Sequence, residues 1–140
     1  MSDQHSCEVV VFRCIDYRLS QGDFDGLLKR KGIAKDGKFD LVSVAGSGRD
    51  LLDKNPIIVR YLLGQIGTSI RLHHSQKAII VLHDNCGAYG IADPVQELTK
   101  QKADAAKIAA LIVGEFPDLA VEVYQLVGTA SGEFSLQQLA

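Results

Sequence analysis

Tryptophan is absent, methionine occurs once, proline and cysteine three times each, and the charge is close to balanced at a net -2. So few cysteines, and an odd number of them, exclude a disulfide framework in a chain without an export signal, and reduced thiols are expected. The near-neutral charge removes the electrostatic reason to bind nucleic acid or an anionic membrane. No apolar run approaches the roughly 20 residues that span a bilayer. Met1 to Ser6 is polar, without the apolar stretch of a secretory signal. These absences predict a soluble, cytoplasmic protein with no nucleic acid and no membrane as partner. The hydrolase nucleophile elbow is missing too, since no Gly-x-Ser-x-Gly occurs.

What remains is a globular composition, 46% apolar and 23% charged over 140 residues. That length suits a single domain, residues 1–140, burying roughly two-thirds of its unfolded surface. Short β-branched runs alternate with helical patterns. Glu8 to Arg13, Asp40 to Val44, Lys77 to Leu82 and Leu119 to Leu126 read as strands, with a short edge strand at Glu133 to Leu136. A short helix is expected around Phe24 to Lys31. A longer one starts at Asn55-Pro56, with Ile58, Leu62, Ile66 and Ile70 as its apolar stripe. Another starts at Asp93-Pro94, with Val95, Leu98, Ile108, Leu111, Ile112 and Phe116 buried and Lys100, Lys102, Asp104 and Lys107 in water. The alternation predicts an α/β fold, a mostly parallel central sheet of four to five strands flanked by helices.

Ligands of such sheets sit beyond the carboxyl ends of the strands. Two motifs fall there: Cys14-Ile15-Asp16-Tyr17-Arg18 after the first strand and His83-Asp84-Asn85-Cys86-Gly87 after the third. Cys14, His83 and Cys86 form a Cys₂His set with zinc spacing, two ligands from one loop and one from a neighbouring strand. Zinc at +2 with two thiolates and a neutral imidazole sums to zero. Its water should therefore ionise above the value of about 7 known for three-histidine zinc, with activity rising toward alkaline pH. Asp16 and Arg18, read as part of an extended segment, point the same way as Cys14. Asp16 then either ligates zinc as a fourth ligand or pairs with Arg18 and orients a zinc-bound hydroxide.

The pattern C-x-D-x-R followed by H-x-x-C-G resembles the β-class carbonic anhydrases, and Asp40 to Gly46 is similar to the segment between the family's two motifs. The resemblance implies zinc on Cys14, His83 and Cys86, a catalytic dyad of Asp16 and Arg18, and reversible hydration of carbon dioxide to bicarbonate. It also implies a homodimer or higher homo-oligomer, as do the open edges of so small a sheet. The chain departs from the family at Tyr17, where serine is usual, at Ser43-Val44 in place of Arg-Asn, and at Ala88 in place of a second glycine. The family's upstream substrate-binding glutamine has no counterpart here, since Gln4 falls in the N-terminal end, which is expected to fray. Two other readings fit the same residues: a hydrolase of carbonyl sulfide or carbon disulfide, and a non-catalytic zinc module with Asp16 as permanent fourth ligand.

Gly46-Ser47-Gly48 lacks the third glycine of a dinucleotide fingerprint, Leu51 standing in its place, and reads as a tight turn beside the site. Gly46 and Gly87 are the expected substrate contacts, through backbone N–H groups. Cys7 reads as a small half-buried hydrophobe, His73 and His74 as caps at a helix C-terminus, His5 as a tail residue, and Tyr89-Gly90 as part of the pocket mouth.

Overall fold

Three consecutive valines and a phenylalanine explain the centre of the fold. In the strand β1 (Val9–Arg13), Val9 and Val11 point to one face and Val10 and Phe12 to the other, and all four are buried. The computed structural model describes residues 5–140, so Gln4 lies outside the described residues. The further elements are α1 (Tyr17–Gln21), α2 (Phe24–Arg30), β2 (Phe39–Ser43), α3 (Pro56–His73), β3 (Lys77–His83), α4 (Pro94–Glu115), β4 (Ala120–Val127) and β5 (Ser135–Gln138). A 3₁₀ turn covers Ser47–Leu52. The sheet order is β2-β1-β3-β4-β5, parallel except for the antiparallel β4/β5 pair. The expected mostly parallel α/β sheet is thus the observed one, its edge strand starting two residues later than the sequence suggests.

Each face of the sheet has its own core. Val9, Val11, Ile79 and Val81 pack with Leu19, Phe24, Leu27 and Leu28 from α1 and α2. Val10, Phe12, Ile80 and Leu82 pack with Leu62 and Ile66 of α3 and Ile108 and Ile112 of α4. Helices α1 and α2 return the chain to β2 on one side of β1, whereas α3 carries it back to β3 on the other side. The chain therefore reverses direction between β1 and β3, the crevice where open α/β sheets bind ligands. Gly48 lets the 3₁₀ turn lie against this sheet, since a Cβ there would stand 2.7 Å from Ile80 Cγ2.

The caps follow the sequence. Asn55 accepts the Ile57 N–H at 3.0 Å with Pro56 in the first helical position, and Asp93 accepts the Val95 N–H at 2.8 Å with Pro94 following it. Burial departs from expectation in three places. Ile58 is 38% exposed and Val95 73% exposed, both in the first turns of their helices. Asp104, expected in water, is buried, held by the Tyr89 hydroxyl at 2.9 Å and Lys100 Nζ at 2.8 Å. Among the described residues no helix is long and apolar enough to cross a membrane.

Candidate metal centre

Cys14 follows β1, His83 is the last residue of β3, and Cys86 lies three residues on, so the crevice between β1 and β3 collects all three. One donor atom from each lies within 4.8 Å of the others, and all three residues are buried. His83 Nδ1 sits 2.7 Å from the Asp84 carbonyl and 3.1 Å from Thr129 Oγ1. The carbonyl can only accept, so Nδ1 carries the hydrogen and Nε2 is left with a lone pair. That Nε2 is buried and has no hydrogen-bond partner. An orphaned acceptor of this kind costs about 1–3 kcal/mol, and a divalent ion beside two sulfurs is a group that would satisfy it. The donor set therefore fits a metal of the zinc class.

The sulfurs are already polarised. Contact with Cys86 pulls the Cys14 thiol far below the usual thiol range despite burial, and His83 and the Gly46 and Asp16 N–H groups add to the effect. That same contact, together with burial, pushes the Cys86 thiol upward, so the two sulfurs titrate as a pair. Burial works against a charged His83, but the nearby Cys14 sulfur, the Asp84 carbonyl and the Asp16 carboxylate outweigh this and raise its pKa. Gly46, at φ +75°, turns its N–H onto Cys14 Sγ at 3.4 Å.

Asp16 is not placed by strand alternation. It caps α1, a helix where the sequence predicts an extended segment, and its Oδ1 accepts the Arg18 N–H at 3.0 Å. The Arg18 side chain then folds back, with Nε 3.1 Å from Oδ1 and NH2 2.7 Å from Oδ2. This clamp takes the Asp16 carboxyl down to about 2 against the opposing effect of burial. Asp16 Oδ2 stands 3.9 Å from His83 Nε2. Arg18 also reaches the second motif, its NH1 donating to Asn85 Oδ1 at 2.8 Å and its NH2 to the Asn85 carbonyl at 3.0 Å. Asn85 can present both groups because it adopts φ +54°, a region asparagine tolerates better than most residues. An open cavity of about 580 Å³ lies over the dyad, lined by Cys14, Ile15, Asp16, Tyr17, Arg18, Ala45, Gly87 and Ala88.

Several supporting residues escaped the sequence reading. Glu97, buried in the first turn of α4, accepts the N–H of Asn85 at 2.8 Å and of Cys86 at 2.9 Å, so one carboxylate fixes the whole His-x-x-Cys loop. Gln101, one turn on, donates to the His83 carbonyl at 2.9 Å. Asp84 accepts the Gly128 and Thr129 N–H groups, both at 3.0 Å, which positions the hydroxyl beside His83. The available signal was the helical spacing of Glu97, Gln101 and Asp104, a polar stripe on the face that continues as Ala105, Ile108 and Ile112.

Comparison with known proteins agrees with this fold. A protein of Rickettsia conorii described as uncharacterized is 30% identical over 128 residues, which is 86% of this chain and 67% of the relative. Two solved structures share the fold. Carbonic anhydrase from Streptococcus mutans gives a TM-score of 0.58 at 15% identity, covering 100% of this chain and 86% of that one. Carbonic anhydrase from Glaciozyma antarctica gives 0.52 at 20% identity, covering 94% and 81%. The model of one protein family, described as "Putative carbonic anhydrase", matches residues 4–126, nearly the whole chain, and the chain belongs to that family.

Proposed function

We propose that the chain is a zinc-dependent carbonate dehydratase that hydrates carbon dioxide reversibly to bicarbonate and a proton, with Cys14, His83 and Cys86 as metal ligands. The observation that carries this reading is the buried, orphaned Nε2 of His83, set beside two thiols and 3.9 Å from a carboxylate that Arg18 keeps ionised. Zinc held there would supply Lewis acidity that brings a water toward ionisation.

Asp16, ionised and held by Arg18, is an acceptor only. Near His83 it can take one O–H of a water and turn that oxygen's lone pair toward the carbon of carbon dioxide. The new C–O bond forms as one C=O electron pair moves onto its oxygen, and the released proton passes to solvent. Ile15, Ala45 and Ala88 give the apolar substrate a wall it can rest on without displacing strongly held water. Gly87 presents backbone to the same cavity, and Gly46 acts through the Cys14 sulfur it holds. The Arg18 clamp favours an Asp16 that stays outside the ligand set, as the catalytic reading requires and the non-catalytic module does not.

Stopped-flow hydration of carbon dioxide by zinc-loaded protein, from about pH 6.5 to about 9, tests this reading. A zinc-dependent rate that climbs toward alkaline pH is expected. No such rate at any pH would sink it, and turnover of carbonyl sulfide or carbon disulfide instead would move the same residues to a sulfur analogue. Asp16→Asn should lower the rate about 10²-fold with zinc content intact, whereas loss of zinc would make Asp16 a ligand. We also infer a cytoplasmic homodimer or higher homo-oligomer. Ile15 and Tyr17, at the cavity mouth, are 64% and 69% exposed, and sedimentation as a monomer would refute the assembly.

A further inference from the structure

The amino ends of the strands carry a second group of donors. Cys7 stands two residues before β1, Asp40 lies in β2, and His73 ends α3. One donor atom from each lies within 4.8 Å of the others. Ligands at bond lengths of 2.0–2.3 Å around a tetrahedral ion sit roughly 3.3–3.8 Å apart, so only small side-chain rotations separate this arrangement from a coordination shell. An open cavity of about 280 Å³ reaches the group, and His5, Cys7, Asp40 and His73 all line it.

The three side chains are held from behind. Both Asp40 oxygens face His73 Nδ1, at 2.9 and 2.8 Å, and Ser69 Oγ donates to Oδ2 at 2.6 Å. Ser75 Oγ bridges Ser69 at 2.6 Å and Cys7 Sγ at 3.6 Å. The backbone adds a tie, with the Cys7 N–H donating to the His73 carbonyl at 3.0 Å. His5 lays its ring over that of His73, the centroids 6.3 Å apart, so a second imidazole is within reach of the cavity. A thiolate, a carboxylate and an imidazole make a mixed sulfur, oxygen and nitrogen set, which suits zinc better than calcium or magnesium, whose ligands are oxygens.

We propose that Cys7, Asp40 and His73 form a second divalent-metal site of the zinc class, at the end of the sheet opposite Cys14, His83 and Cys86, with His5 as the available fourth donor. With one thiolate and one carboxylate the bound ion is neutralised, and no residue of the first cluster takes part. The site stands independently of what the first cluster catalyses. Its role is to tie the segment before β1 to β2 and α3.

Cobalt(II) titration of metal-free, reduced full-length protein tests the proposal, because each thiolate ligand adds a near-ultraviolet charge-transfer band. About two ions per chain are expected, two of the three cysteines reporting on one and Cys7 on the other. Cys7→Ser should remove one ion and leave carbon dioxide hydration unchanged. His73→Gln, which keeps a hydrogen-bonding group beside Asp40 but offers no imidazole, should weaken that ion about 10–100-fold. Circular dichroism confirms that each variant is folded, and either variant alone suffices. Binding of a single ion that survives both Cys7→Ser and His73→Gln but is lost in Cys86→Ser would overturn the second site and leave the first standing. A single ion lost in Cys7→Ser and kept in Cys86→Ser would do the reverse.

Discussion

At the carboxyl ends of β1 and β3, Cys14, His83 and Cys86 are buried, and His83 Nε2 has no partner. At the amino ends, Cys7, Asp40 and His73 are half-exposed, and each already has a protein hydrogen-bond partner. The same chemical vocabulary thus appears twice in one sheet with opposite supports. The first cluster leaves a lone pair unsatisfied and fixes its loop with the buried carboxylate of Glu97, so the protein bears the cost of ordering before any ligand arrives. The second satisfies itself, and an ion there must displace the Asp40–His73 pairing. Donor identity alone therefore does not set affinity. The expectation is tight binding at the carboxyl ends and weaker binding at the amino ends.

The largest effect that could break this contrast is removal of a sulfur. Cys86→Ser should abolish metal at the first cluster and bring carbon dioxide hydration down to the uncatalysed background, as read by metal analysis and stopped-flow. Equal loss of activity in Cys7→Ser would erase the functional difference between the two ends. Next in size is Arg18→Lys. A lysine cannot reproduce the forked grip on Asp16 or reach both Asn85 groups, so turnover should fall about 10²-fold while zinc content stays unchanged. Glu97→Gln follows. One acceptor oxygen replaces two, leaving the Asn85 or Cys86 N–H unmet, and zinc affinity measured against a competing chelator should weaken about 10–100-fold. Unchanged affinity would mean that the loop needs no such support.

The sheet and the cluster of Cys14, His83 and Cys86 were legible because they rest on strong local signals. Continuous apolar runs gave β1 and β3, and metal-ligand spacing at their ends gave Cys14, His83 and Cys86. The supporting residues were hidden for a physical reason. Along α4 the buried stripe is polar in its first half, at Glu97, Gln101 and Asp104, and apolar only from Ala105 on. A hydrophobicity pattern assigns such residues to water, and only the tertiary positions of the loop and of Tyr89 show what they bind. Asp16 illustrates a second limit. Its nearness to Arg18 was readable, but the geometry comes from a five-residue helix whose cap is Asp16 itself. The group of Cys7, Asp40 and His73 could not be read at all, since sequence separations of 33 residues between each successive pair leave no spacing signature.

The smallest effect concerns how charge is held toward the amino ends. Glu122 Oε2 pairs with Lys77 Nζ at 2.8 Å, and the Tyr124 hydroxyl also donates to this carboxylate. Burial alone would raise the Glu122 pKa, but Lys77 and Tyr124 outweigh it and lower it. A carboxyl lowered on folding adds stability that is complete above its unfolded pKa of about 4.3 and is lost as pH falls through the lower folded value. Glu122→Gln should therefore cost about 0.5 kcal/mol or less at neutral pH, since Lys77 is 38% exposed and the pair is screened by solvent and salt. The difference should shrink with added salt and vanish in acid, as thermal melts at several pH values would show. Glu97→Gln, by contrast, strands a backbone N–H in a buried loop and should cost about 1–3 kcal/mol with little response to salt. If the two substitutions proved equally costly and equally salt-sensitive, the carboxyl ends of the sheet would be no better prepared for a ligand than the amino ends.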